Sequence, residues 1–386
     1  MTTTTTNLPI LPPSMLGILG GGQLGRMFTV AAKTMGYRVT VLDPDPQSPA
    51  AAFADVHLCA PYDDVAALQQ LAQCAAVTTE FENVNAAAMQ QLAQYTRVSP
   101  AGECVAIAQN RISEKAWIRK AGLPVAPYQA VRSADDIIDK TSLLLPGILK
   151  TATLGYDGKG QRVIKTAAGL HIGMSSLMKD APFILEKMLD LRAELSVIVC
   201  RLDSERVATF PPAENIHENG ILAYSIVPAR LPETLLRRAE AMAKQLAETL
   251  NYVGVLAVEM FVVGDAAQLV VNEIAPRPHN SGHYTLDACA SNQFEQQVRM
   301  MCALPPAATD LLRPCCMVNL LGDVWGADGS EPNWQPLLDE AHTHLHLYGK
   351  KEARSGRKMG HFTVTADTAD AAFTQAQTLF AAVCRG

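Results

Sequence analysis

The sequence has 386 residues and no apolar run of the roughly 20 residues that a bilayer span needs. No C-x-x-C occurs among its nine cysteines, and two of them, Cys315 and Cys316, are neighbours. An odd, scattered set argues against a zinc ribbon or a disulfide framework. It suits reduced thiols buried as small apolar groups, hence a cytoplasmic protein. A basic excess is also missing: 32 Lys and Arg stand against 38 Asp and Glu, a formal net charge of −6. That balance excludes a general nucleic-acid binder. The Walker A pattern G-x-x-x-x-G-K-[ST] is absent, and so is any internal repeat. The opening MTTTTTNLPILPPS has neither a positive n-region nor a long apolar core. It reads as a disordered tail over residues 1–14 rather than a signal peptide.

What is present is globular: 48% hydrophobic residues and 18% charged ones in a chain long enough for two or three domains. From residue 15 to about 100, short apolar strands alternate with helical stretches, which predicts a parallel sheet with helices on its faces. The first strand runs into Gly20-Gly21-Gly22-Gln23-Leu24-Gly25, a G-x-G-x-x-G turn, and YRVTVLD follows, ending in Asp43. Such a turn lets backbone N–H groups approach an anion at a helix N-terminus. An NAD-dependent oxidoreductase and a plain strand-to-helix turn both fit it.

Near residue 105 the rhythm changes. VAIAQNRISEKAWIRKAG reads as one helix stopped by Gly122 and Pro124, followed by a strand ending at Lys150. LPETLLRRAEAMAKQLAETLNY is an amphipathic helix with Asn251 near its C-terminus. GVLAVEMFVVGDAAQLVVNEIAPR predicts a β-hairpin. Pairing Glu259 with Glu273 leaves a loop from Gly264 to Gln268 and sets two carboxylates side by side. Like charges opposite one another destabilise a sheet, and a divalent cation reverses that sign. An exposed strand acid without a partner is the alternative. KTATLGYDGKGQ, residues 150–161, carries Gly155, Gly158, Gly160 and Lys159; it suits closure over polyphosphate or a plain hairpin turn. Glu186 ends an apolar strand whose edge can face a purine, and Glu194 can accept from ribose hydroxyls. Alone, each would be a solvated surface acid.

Strand lysine, Gly-rich loop, acid-lysine hinge, ribose acid and paired acids, in that order, resemble the ATP-grasp superfamily. GILGGGQLGRM, TTEFENV, GYDGKGQ, ENIHENGIL, YVGVLAVEMF, NEIAPRPHNSGHYT and HLYGK…RSGRKMGH resemble, within it, the 5-(carboxyamino)imidazole ribonucleotide synthetases from about residue 15 to about 380. The implied fold is α/β and α+β: a Rossmann-like parallel-sheet domain over 15–108, an ATP-grasp domain over 109–305 and a small β-rich C-terminal domain over 306–386. The implied activity is ATP- and bicarbonate-dependent carboxylation of 5-aminoimidazole ribonucleotide in purine biosynthesis. It uses Mg2+ or Mn2+ and neither biotin nor NAD, in a cytoplasmic homodimer.

Carried over, the resemblance assigns Arg111, Lys150 and Gly155, Tyr156, Asp157, Gly158, Lys159, Gly160 and Gln161 to ATP. Glu186, Lys187, Met188 and Leu189 would frame adenine; Glu194 would hold ribose, with His217 nearby. Glu259 and Glu273 would hold the metal, with Asn272 beside them. Strict alternation points Asn272 away from Glu273. Arg277, Tyr156, Asp157 and Lys159 are the catalytic candidates. Gln23, Glu80, Arg277, His279, Asn280, Ser281, Lys350, Arg357 and Lys358 are the substrate candidates. Where the family often has Asp, this chain has Asn110. His342, His344 and His346 alternate and could share a face, but a Mg2+ enzyme has no use for them. Trp325 and Trp334 read as packing residues.

Overall fold

The computed structural model describes residues 8–133, 136, 139–153, 155, 160–177, 182–326 and 328–384. The expected loop residues Tyr156, Asp157, Gly158 and Lys159, and residues 1–7 of the expected tail, lie outside them.

The first sheet has five parallel strands in the order Val56–Leu58, Arg38–Leu42, Met15–Leu19, Ala76–Thr79, Arg97–Val98. Its strands are near-continuous apolar runs because helices cover both faces. Leu16, Ile18, Val39 and Val41 pack with Phe28 of the helix Gln23–Thr34. The same cluster takes Phe294, Val298 and Met301 from the much later helix Gln293–Met301. Strand order reverses between Met15–Leu19 and Ala76–Thr79, the place where an α/β sheet opens a crevice at its strand ends.

The second sheet has nine strands and is antiparallel. Gln268–Ala275 forms one edge, followed by Gly254–Val263, Leu191–Arg201, Ala213–Glu218 and Ile221–Val227. The sheet does not stop at residue 305: Cys315–Leu321, Lys358–Thr365 and Thr343–Leu347 extend it beyond Ile221–Val227. The amphipathic helix Glu233–Thr249 lays Ala239, Met242, Ala243 and Leu246 on this sheet. Asn251 reverses the chain after it with φ of 46°. A third, four-stranded antiparallel sheet orders Tyr128–Val131, Phe183–Lys187, Gly147–Thr151 and Gln161–Ile164.

Two expectations need correction. The single helix after residue 105 is two, Gly102–Ala108 and Arg111–Lys120. Asn110 is the reason: it is extended, and its side-chain oxygen accepts from the N–H groups of Ile112 (3.0 Å) and Ser113 (3.2 Å). An amide caps a helix as well as the family's Asp does. The hairpin does pair Glu259 with Glu273, but its loop is residues 264–267, because Gln268 pairs with Val263. A β-bulge absorbs the one-residue difference by inserting Asn272 opposite Glu259 and Met260.

Candidate active site

Period-2 pairing puts Glu259 and Glu273 on one sheet face. Ser196 opposite Glu259, and Glu194 two residues along, share that face. The two carboxylates are not equivalent. Arg111 holds Glu273 at 2.6 Å, while Glu259 meets the imidazole of His279 at 3.1 Å. Burial opposes the charge on Glu273, but Arg111 outweighs it and draws the carboxyl well below its usual range. Burial and the neighbouring Glu273 push Glu259 up. Burial and Arg277 push His279 down. Asn272 is not sent away from the pair by strict alternation, since the bulge breaks it. Its Oδ1 is buried without a hydrogen-bond partner. Two carboxylates and an orphaned amide oxygen on one hairpin form an all-oxygen donor set, which suits a hard divalent cation.

Glu186 is not the solvated acid a lone reading suggests. Its carboxylate is buried between Lys115 (3.2 Å) and Lys150 (3.3 Å). Burial opposes its charge, yet the two lysines hold it below the usual carboxylate range. Burial lowers Lys150 in turn. The chain then leaves the sheet: Lys187 and Met188 are exposed and Leu189 is half-buried. Their backbone is pinned where Lys187 and Met188 N–H donate to the carbonyls of Pro127 (2.8 Å) and Pro146 (3.0 Å). Glu194 pairs with His217 at 3.0 Å. Burial opposes protonation of His217, but Glu194, Glu259 and Glu273 together raise its pKa. Gly155 accepts from Arg111 at 3.1 Å, and Gly160, with φ of 75°, returns the chain to Gln161, whose strand pairs with that of Lys150.

A cavity of about 660 Å³ opens beside Glu259 and Glu273. Arg111, Gly155, Arg277, His279, Asn280, Gln23, Lys350, Arg357 and Lys358 also line it. The basic turn after the His-rich strand therefore faces the same space as the paired acids. Lys350 donates to Gln23 Oε1 (2.6 Å) and to the Lys358 carbonyl (2.7 Å). Arg277 is ion-paired with Glu82, which keeps that carboxyl charged despite burial. Ser281 does not reach the cavity: it is fully buried behind His279, with its hydroxyl 2.9 Å from Nδ1.

Glu80 does line the cavity, but its carboxylate is already used. Gly22 N–H and Gly25 N–H donate to its two oxygens at 2.5 and 2.6 Å, and Gly21 N–H donates to Asp43 at 2.7 Å. The anion on the Gly-rich turn is the chain's own pair of carboxylates. A methyl on Gly25 would stand 2.5 Å from the Gly20 carbonyl, which is why that position is bare.

Sequence reasoning missed Lys115, Glu114 and Glu82. Glu82 stood two residues past Glu80 in TTEFENV. Lys115 and Glu114 lay on the helix face that the apolar spacing turns inward. Of the three alternating histidines, only His346 joins a group of possible metal ligands, with Asp287 and His361. Its ring stacks on that of His361 at 13°, so the two lone pairs lie in parallel planes and do not converge on one ion. Trp325 and Trp334 pack edge to face, 5.3 Å apart.

Two antiparallel sheets flanking a lysine, a hinge and paired acids define the ATP-grasp class. The family model for the ATP-grasp domain matches residues 116–294. A ribonucleotide synthetase preATP-grasp domain matches 14–109, and a phosphoribosylaminoimidazole carboxylase C-terminal domain matches 315–375. The N5-carboxyaminoimidazole ribonucleotide synthase of Bacillus subtilis strain 168 is 48% identical over 92% of either chain. Its counterpart in Brucella melitensis is 43% identical over 91% of this chain and 96% of its own. A crystal structure of an N5-carboxyaminoimidazole ribonucleotide synthetase bound to ADP superposes with a TM-score of 0.89 at 44% identity, covering 96% of this chain and 97% of that one. The Aspergillus clavatus synthase, in complex with ADP and 5-aminoimidazole ribonucleotide, gives 0.87 at 31% identity, over 97% and 99%. The chain belongs to the N5-carboxyaminoimidazole ribonucleotide synthase family.

Proposed function

We propose that this protein carboxylates the exocyclic amine of 5-aminoimidazole ribonucleotide with ATP and bicarbonate, giving N5-carboxyaminoimidazole ribonucleotide, ADP and phosphate, as a step of purine biosynthesis. The observation that carries this reading is the shared cavity, in which paired acids, an arginine–histidine–asparagine group and a basic turn face one another. ATP would lie against Lys150 and the Glu186 hinge, with its phosphates toward Arg111. The ribonucleotide phosphate would meet Arg357 and Lys358, where a planar guanidinium and an ammonium suit a dianion.

Phosphoryl transfer to bicarbonate would give carboxyphosphate and ADP. The amine would then attack its carbonyl carbon, releasing phosphate and a proton. Glu259, Glu273 and Asn272 would hold Mg2+ or Mn2+, which neutralises charge developing on the transferred phosphoryl group. Arg277 would bind the carboxyl group: Glu82 takes its Nε and the Pro278 carbonyl accepts from Nη1 at 3.0 Å, which leaves Nη2 for a ligand. A lysine or biotin carrier is unnecessary in this scheme. NAD is disfavoured, because a pyrophosphate would have to displace Glu80 and Asp43 from the turn. A cytoplasmic homodimer completes the reading, on family grounds.

The test is phosphate release from ATP, measured with and without the ribonucleotide and with and without bicarbonate. Release should need both. ATP turnover indifferent to the ribonucleotide would refute the assignment.

A further inference from the structure

Gln268–Ala275 is an edge strand, so its outward backbone groups need partners from elsewhere. At the carboxylate pair those partners are two consecutive side chains of the helix Arg111–Lys120. Glu114 accepts from the Ile274 N–H at 2.7 Å, and Lys115 donates to the Asn272 carbonyl at 2.8 Å. The two bonds bracket Glu273 on the strand. Lys115 has a second acceptor, Glu186, at 3.2 Å. It is 1% exposed, and a buried ammonium is retained only where its partners fix it closely.

We propose that Lys115 is a positioning residue that joins the adenine hinge to the metal-side hairpin. One ammonium fixes both the Asn272 bulge and the Glu186 carboxylate. The bulge sets where the Asn272 amide oxygen and the Glu273 carboxylate stand relative to Glu259. Lys115 thereby holds the metal end of the site in register with the base end. This rests on the nucleotide site proposed above. The two ends should respond unequally to its loss. Glu186 would keep Lys150 as a partner, whereas the Asn272 carbonyl would lose its only donor from this helix.

The experiment is calorimetric titration of ADP into the full chain, with Mg2+ and with EDTA, for wild type and Lys115→Met. Melting temperatures verify folding. Wild type should bind ADP more tightly with Mg2+. In Lys115→Met that Mg2+-dependent gain should fall about tenfold or more, while affinity in EDTA changes less than about threefold. Should Lys115→Met not fold, Lys115→Gln, which keeps a neutral donor, takes its place. An unchanged Mg2+ gain in a folded variant overturns the proposal. So does failure of both variants to fold, since Lys115 would then be a prop of the whole domain. Absence of any Mg2+ gain in wild type would instead overturn the nucleotide-site reading.

Discussion

Glu259 and Glu273 are paired across one hairpin, yet their removal should have unequal consequences for stability. In Glu273→Gln, Arg111 loses its carboxylate partner and keeps, among the described residues, the Gly155 carbonyl and the nearby charges of Glu114 and Glu186. A hydrogen bond to a charged group contributes about 1.5–3 kcal/mol, and breaking a fully buried ion pair costs about 3–5 kcal/mol. The Glu273 side chain keeps 35% of its exposure and that of Arg111 keeps 19%, so water screens the loss. About 1–2 kcal/mol is the expected cost.

Glu259→Gln replaces a carboxyl whose charge burial and Glu273 disfavour. With Nδ1 of His279 accepting from the Ser281 N–H, Nε2 carries the ring proton and can donate to the glutamine amide oxygen as it does to the carboxyl group. The expected change is within about 0.5 kcal/mol. The pH dependence follows from the direction of the shift. Native Glu259 holds a proton above the unfolded carboxyl pKa, so wild-type stability falls, relative to Glu259→Gln, as pH rises toward the raised native value. For Glu273 the native value is lowered, so its contribution is present above the unfolded value and is lost as pH falls through the native one. Urea unfolding in EDTA at pH 7, followed by tryptophan fluorescence, measures both variants. Equal destabilisation, or the larger loss in Glu259→Gln, would refute the unequal charges. With MgATP the symmetry should return: both variants should lose more than tenfold in turnover, about 1.4 kcal/mol or more of transition-state stabilisation.

Arg357→Ala should raise the ribonucleotide KM by about tenfold with a smaller change for ATP, while Lys351→Ala, outside the cavity lining, should stay within about twofold; steady-state kinetics with each substrate varied would show it, and an unchanged ribonucleotide KM makes the turn a surface loop. Arg277→Ala should depress kcat more than either KM, because its contact strengthens as charge develops; a pure KM effect in the same assay would remove that role. Gly25→Ala should destabilise the first domain by about 1–3 kcal/mol, since the added methyl meets the Gly20 carbonyl and Glu80 and disturbs two buried N–H groups; a thermal midpoint equal to wild type would contradict it.

Periodicity made the Glu259–Glu273 pairing legible, because apolar alternation on both strands leaves few registers. It missed by one residue in the loop, since a bulge at Asn272 has no signature in the hydrophobic pattern. Asn110 was visible as a departure from the family, but its capping role depends on backbone φ and ψ within a run that is otherwise helical in pattern. Charged residues were the weakest point. Arg119 and Lys120 are the exposed helix ends that charge patterning implies, whereas Glu114 and Lys115, a turn earlier, are buried. The apolar spacing turns their face inward, but the partners of the two charges lie on the edge of a strand about 160 residues away, which no local pattern names.

The Gly-rich turn shows how one local geometry can be put to another use. Its amides point at an anion, as their sequence implies, but the anions are Glu80 and Asp43, brought there by neighbouring parallel strands. Burial, aided by the Asp43 charge, raises the Glu80 pKa against the two donated N–H bonds and the nearby Lys350. The filled turn fixes the crevice at the strand-order reversal. From that crevice Gln23 accepts from Lys350 and Glu82 pairs with Arg277, all of which line the cavity. The first domain therefore acts on the other two through these side chains. In the proposed reaction it would orient the lysine beside the ribonucleotide and the arginine beside the carboxyl group.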